Sequence, residues 1–359
     1  MVLLMDMLDD FAQIAKLDKG NILGSIERLP EQISESWNEI KDLELPKEYA
    51  SATNIVVSGM GGSGLGARMV KHMHFSHLGV PFNIVNGYFL PNYVNKNTLV
   101  ILSSYSGNTE ETLSAAHDAI KKKAMIVGIC TGGKLYEILT KEKLPVYKID
   151  PKNNPSGQPR MGLGYSLTSI LGILAKLGFV NTTDEDTSKY IETTEKFVKE
   201  FGVRKHTNEN IAKKIAEKFS AKAVVLMSSE HLIGVTHAFK NQLNENSKTF
   251  STRFTISESN HHLMEGLRYP AKAKDVLHFL FLESANYYER IIKRYAITQD
   301  IVKQNGYEFD VYKTQSHDRN DEVFEILVLG SYISFYMAIL HGINPSPIPW
   351  VDYFKTKMS

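Results

Sequence analysis

The sequence predicts an α/β fold in two halves, each a parallel sheet covered by helices. Three observations lead there. From residue 53 onward, short apolar runs alternate with amphipathic stretches, as in β–α–β units. The alternation starts afresh near residue 201. The first apolar run, NIVVS (54–58), closes in the glycine-rich turn GMGGSG (59–64), which opens a helical pattern.

Length and composition permit this. A chain of 359 residues suits about two domains. A hydrophobic share of 43% and a charged share of 23% are ordinary for a globular protein. The net charge of +1, from 41 basic and 40 acidic residues, excludes a general attraction to nucleic acid or anionic membrane. Any anion site must be local. The single cysteine, Cys130, forbids an internal disulfide and suits a reducing cytoplasm. Its place at the end of MIVGIC predicts a buried strand residue. The N-terminal MVLLMDMLDDF carries acids where a signal peptide carries bases. No stretch approaches 18 uninterrupted apolar residues, so no membrane span is expected and the location is read as cytoplasmic.

In chain order, residues 1–50 read as a helical arm that packs on the body or on a partner chain. MVLLMDMLDDFAQIAKL has helical apolar spacing, and LPEQISESWNEIKDL places Pro30 near a helix start with Ile33, Trp37 and Ile40 on one face. Residues 51–200 form the first α/β half. Its strands are NIVVSGM, FNIVNGYF, TLVILSSYS, MIVGICTGG and VYKID, with helices SGLGARMVKHMHF and TEETLSAAHDAIKKK between them. The charged TSKYIETTEKFVKEFG reads as a helical connector. Residues 201–359 form the second half, with strands AVVLMSSEH, KTFSTRF, DVLHFLFLE and FDVYKTQ. Its helices are YYERIIKRYAITQDIVKQNG and EVFEILVLGSYISFYMAILHG. No short repeat or low-complexity tract interrupts them.

The glycine-rich turn invites a phosphate. Gly59, Gly61 and Gly64 match the dinucleotide fingerprint, but the second strand ends in Asn86 and Gly87 where that fingerprint needs an acid for the ribose. A triphosphate loop needs a lysine after Gly64, and none follows. The next strand end is more telling. TLVILSSYSGNTEET runs into Ser103, Ser104, Ser106 and Thr109, with Glu110 and Glu111 in the first helical turn. One hydroxyl suffices as an N-cap; this concentration suits a phosphomonoester held by hydroxyls and free amides.

Other signals carry less. His72, His74 and His77 lack a carboxylate or cysteine to complete a metal set, so no metal is expected. Lys121, Lys122 and Lys123 end a helix and complement its dipole. Tyr287, Tyr288, Tyr332 and Tyr336 read as packing.

Ser104-Tyr105-Ser106-Gly107-Asn108-Thr109 resembles the phosphosugar loop of the sugar isomerase (SIS) domain. GMGGSGLG (59–66), PSGQPRMGLGY (155–165), KNQLNENSK (240–248), SNHHLMEGL (259–267) and NPSPIPWVDYFK (344–355) extend the resemblance to the bifunctional phosphoglucose/phosphomannose isomerases, over roughly residues 50–359. The resemblance implies two SIS domains, each a five-stranded parallel sheet between helices, in a homodimer. It implies an aldose–ketose isomerase acting on glucose 6-phosphate and mannose 6-phosphate, through a cis-enediolate, without a cofactor. Glu245, in the polar loop NENSK, would be the base. His261 would take part in ring opening, reaching in from the partner subunit, with His262 its neighbour and competitor. Arg160 would stabilise the enediolate. Lys355 would assist ring opening, with Lys357 the alternative. Gly61, Gly62 and Ser63 would meet the sugar, and Ser104, Ser106 and Thr109 the phosphate. Ser346 would be the small hydroxyl residue that leaves room for mannose. Two rivals remain open: a non-catalytic sugar-phosphate-binding protein, and an SIS isomerase for another phosphosugar. No basic recognition helix marks a transcription factor.

Overall fold

The computed structural model describes residues 7–358. Three helices open it: α1 (Phe11–Leu17), α2 (Ile22–Glu27) and α3 (Leu29–Asp42). The start of the expected first helix, residues 1–6, lies outside the described residues. Pro30 occupies the first turn of α3, where its missing N–H leaves no bond unmade. Ile33, Trp37 and Ile40 point one way, as their spacing predicts, and all three are buried. Each such side chain contributes roughly 1.5–3 kcal/mol. The arm therefore packs on the body of its own chain.

The first sheet contains β1 (Asn54–Ser58), β2 (Phe82–Val85), β3 (Thr98–Ser103), β4 (Met125–Cys130) and β5 (Val146–Lys148). Their order is β2-β1-β3-β4-β5 and every pairing is parallel. Between them run α4 (Gly61–Met73), α5 (Glu110–Lys121) and α6 (Gly133–Lys141). Parallel strands are covered on both faces, which is why β3 is buried at all of its positions and reads as an unbroken apolar run. Cys130 is buried at the end of β4, as expected.

Two helices, α7 (Leu163–Lys176) and α8 (Asp184–Phe201), lead to the second half. The expected connector is more than that: α8 buries Tyr190, Phe197 and Phe201. After α9 (Ile211–Phe219) come β6 (Ala223–Ser228), α10 (Ile233–Asn246), β7 (Ser251–Thr255), β8 (Leu277–Glu283), α11 (Glu289–Gln304) and β9 (Glu308–Lys313). The chain ends in α12 (Arg319–Leu340) and α13 (Pro349–Met358).

The second sheet corrects the expectation of five strands. Among the described residues it has four, ordered β7-β6-β8-β9 and all parallel. After β9 the chain does not return as a fifth strand but enters α12. That helix is apolar on all sides and so has to be buried on all sides. It is long and apolar enough to cross a membrane, yet its apolar window is wholly buried inside the fold, as a core helix is. Tyr332 and Tyr336 stack within it at 5.7 Å, which bears out the packing reading. Tyr287 likewise stacks on Tyr295 at 5.4 Å, whereas Tyr288 is exposed.

Candidate active site

In an open parallel sheet, ligands sit beyond the carboxyl ends of strands whose connections leave in opposite directions. In the first sheet those strands are β1 and β3. The turn after β1 and the hydroxyl-rich loop after β3 therefore face one crevice.

The turn after β1 opens α4. Gly62 lies so close to the backbone of Pro159 and Arg160 that a Cβ there would stand 2.7–2.8 Å from their atoms. The glycine thus brings the start of α4 against the segment that carries Arg160. Ser63 ties the two loops together: its hydroxyl accepts from the Tyr105 N–H at 2.8 Å, and its carbonyl accepts from the Ser103 hydroxyl at 2.9 Å. Asn86, found where a dinucleotide site wants an acid, donates its amide to the Gly59 carbonyl at 2.6 Å.

In the second loop the Ser104 hydroxyl donates to Thr109 Oγ1 at 3.0 Å, and Ser106 Oγ accepts from the Asn108 N–H at 3.3 Å. Thr109 sits at the N-cap of α5 without making a side-chain cap bond. The first amides of α5 therefore remain open to an anion, with the helix dipole behind them.

Arg160 is buried, at 1% exposure, and almost fully engaged. Its Nε donates to Asn246 Oδ1 at 2.6 Å and its Nη1 to Gln158 Oε1 at 2.8 Å. Its Nη2 donates to the carbonyls of Pro345 at 3.0 Å and Ser346 at 2.8 Å. What is left of Nη1 faces Glu245, whose Oε2 lies 3.5 Å away. Burial lowers the guanidinium's pKa, against the pull of Glu245.

Glu245 does not lie in a loop, as the polar NENSK suggested. It stands in the last turn of α10, because the helix runs on through Asn246. Its side chain is 27% exposed. Burial raises its pKa above the ordinary carboxylate value, against the attraction of Arg160, Lys248, Lys240 and Lys355. Lys355, on the exposed α13, is the weakest of these four charges on Glu245. Ser346 is held through its backbone, its N–H donating to Asn344 Oδ1 at 3.0 Å.

His261 is not brought to this cluster within the chain. It lies just after the short helical turn Ile256–Ser259, exposed, its N–H donating to the Glu258 carbonyl at 3.0 Å. His262 is exposed too, 4.0 Å from Glu258.

Sequence reasoning missed the residues that hold Arg160 and the loops: Gln158, Asn246, Tyr105 and Lys248. Asn154 Nδ2 donates to the Tyr105 hydroxyl at 2.8 Å. Lys248 caps the end of α10, donating to the carbonyls of Glu245 and Asn246 at 2.9 and 3.1 Å. Burial and the neighbouring Arg160 push its pKa down to about 8, with Glu245 opposing. All four lie inside the motifs that carry the family resemblance, and that adjacency was the available signal.

The SIS domain family matches residues 48–135, and the family described as the bacterial phospho-glucose isomerase C-terminal SIS domain matches residues 208–358. A bifunctional phosphoglucose/phosphomannose isomerase of Caldicellulosiruptor bescii is 32% identical over 93% of this chain and 98% of its own length. The chain belongs to the bifunctional phosphoglucose/phosphomannose isomerase family. Another member, from Thermoplasma acidophilum, is 30% identical over 91% of this chain and 98% of its own. The fold is also that of the C-terminal domain of glucosamine-fructose-6-phosphate aminotransferase from Francisella tularensis. That likeness has a TM-score of 0.69 at 16% identity, over 91% of this chain and 98% of the other.

Proposed function

We propose that the chain is an aldose–ketose isomerase that interconverts glucose 6-phosphate with fructose 6-phosphate, and mannose 6-phosphate with fructose 6-phosphate, through a cis-enediolate. The observation that carries this reading is the half-covered Glu245 carboxylate facing the buried Arg160 guanidinium at 3.5 Å. A base needs a pKa lifted toward the working pH, and burial lifts that of Glu245.

The open amides of α5, with Ser104, Ser106 and Thr109, hold the phosphate. Gly61, Gly62 and Ser63 meet the sugar. After ring opening, Glu245 takes the proton from C2 as the C1–C2 double bond forms and the electron pair of the C1 carbonyl moves onto O1; the O2 proton passes to O1, and Glu245 returns its proton to C1 as the C2 carbonyl forms. Arg160 stabilises the negative oxygen that forms between the two transfers. Its four other hydrogen bonds hold it in place beforehand, so no reorganisation is needed in the transition state. Lys355 assists ring opening, and Ser346 borders the room beside C2. The exposure of His261 suits a histidine that completes the site of a second copy, in a homodimer.

A coupled assay on the three hexose 6-phosphates, with EDTA present, tests the reading. Turnover is expected to survive EDTA and to fall by about 10²–10⁴-fold in Glu245→Gln, with KM little changed. Absence of turnover with all three, while they still bind, would overturn it.

A further inference from the structure

A second concentration of charge lies beside that crevice, farther along α4. Where α10 crosses α4, beside the edge strands β2 and β7, a cavity of about 180 Å³ is lined by Arg68, Lys71, His72, His237 and Arg253. Every titratable side chain on its wall is basic. Lys240, next on the same helix face as His237, borders the adjoining hollow with His72 and Arg253. The only acid lining that hollow, Glu258, is 77% exposed.

Cations partly removed from water are favoured by an anionic partner. Arg68, Lys71, Lys240 and Arg253 are all half-buried. Among the described residues, no carboxylate lies within ion-pair distance of Arg68, Lys71, Lys240 or Arg253. Arg68 donates to the neutral amide oxygen of Asn86. Nδ1 of His237 is buried with no hydrogen-bond partner. Burial, together with the surrounding cations, drives the pKa of His72 down to about 4 and that of His237 to about 3. Burial and Arg68 also lower that of Arg253. No carboxylate lines the cavity, although Glu245 acts on Lys240 at its margin, and two guanidinium forks are donors matched to phosphate oxygens.

We infer that this cavity is a second anion site, which takes a small, multiply charged phosphate compound separately from the substrate crevice. Its volume is enough for phosphate or pyrophosphate. The site shares α4 with the crevice, whose end is formed by Gly61–Ser63, two turns before Arg68.

Pyrophosphate is the probe. Calorimetry on the full chain is expected to give a site, besides any binding in the crevice, that weakens at least tenfold in Arg253→Gln and in Lys71→Gln. The same site is expected to persist in Ser106→Asp, which places a negative charge in the phosphate loop of the crevice. Pyrophosphate should raise the Tm of the parent chain and leave that of Arg253→Gln unmoved, while without pyrophosphate Arg253→Gln melts no lower than the parent. Three results would overturn the inference: binding that Ser106→Asp abolishes, binding that Arg253→Gln leaves intact, or no binding at all. A parent dimer that Arg253→Gln turns into monomers would also overturn it, by assigning the cluster to the carboxylates of a second copy.

Discussion

Burial works against the charged forms of both Glu245 and Arg160, and each charge partly offsets the cost of the other. Burial holds the proton on Glu245 more tightly in the folded chain than in the unfolded one. Such a group contributes stability below its unfolded pKa, and the contribution is lost as pH rises through the higher folded value. At neutral pH the ionised carboxylate therefore weakens the fold, a frequent trade at sites built for chemistry. Glu245→Gln is expected to melt at or above the parent temperature at pH 7, and the difference should vanish toward pH 4. Calorimetric scans at the two pH values read this directly. A lower Tm at pH 7 would mean that the Arg160 pairing outweighs burial. The acid limb of kcat/KM should fall above the ordinary carboxylate pKa, because only the ionised form accepts a proton. A limb near 4 would assign the base elsewhere.

Among the elements, α4 does most of the positioning. It begins at the glycine-rich end of the crevice, lies across α7, and meets α10 farther along. Its close approach to α7 depends on Gly66, where a Cβ would stand 2.3 Å from the Ser166 carbonyl oxygen. Gly66→Ala is expected to lower stability by about 1–3 kcal/mol in urea unfolding. Gly79→Ala, in open space, should leave it unchanged. Equal behaviour of the two would remove the close-packing argument.

The matching crevice of the second sheet, between β6 and β8, is filled by its own side chains. The Tyr287 hydroxyl accepts from the Ser229 N–H at 3.2 Å, and the Glu322 carboxylate gathers His231 at 2.5 Å and Ser284 at 2.6 Å. Burial works to raise the pKa of Glu322, but those hydrogen bonds prevail and lower it. One fold thus presents one open crevice and one closed one. The difference lies in what each loop carries: small hydroxyls and glycine in the first, tyrosine and a hydrogen-bonded buried carboxylate in the second.

At the level of the assembly, α13 leaves Trp350 at 81% exposure and Phe354 at 61%, an apolar surface of the kind that partner chains cover. A homodimer with shared sites makes a sharp prediction. Glu245→Gln and His261→Ala are each expected to be nearly inactive alone. Mixed under subunit exchange, they should regain part of the parent activity, because each mixed dimer holds one site with both Glu245 and His261 intact. No recovery in a mixture shown to exchange would place His261 in its own chain's site or outside any site. Light scattering should give about twice 40.5 kDa.

The periodicities and turn residues were enough to read the α/β class, the strand positions and the hydroxyl-rich loop, because each depends on neighbours along the chain. The runs 54–58 and 98–103 became strands because apolar runs of that length suit a sheet covered on both faces. Ser104, Ser106 and Thr109 gathered at a helix start because a strand-to-helix turn leaves amides to satisfy. Contacts between distant segments were not legible in this way. Arg160 and Pro345 are 185 residues apart, and Arg160 and Asn246 are 86 apart. Nothing local to either residue records such a hydrogen bond. The helical setting of Glu245, the missing fifth strand of the second sheet and the unpaired cations between α4 and α10 are of the same kind. Each follows from how completed elements pack and exclude water, and burial then sets which carboxylate keeps its proton and which cation goes without a partner.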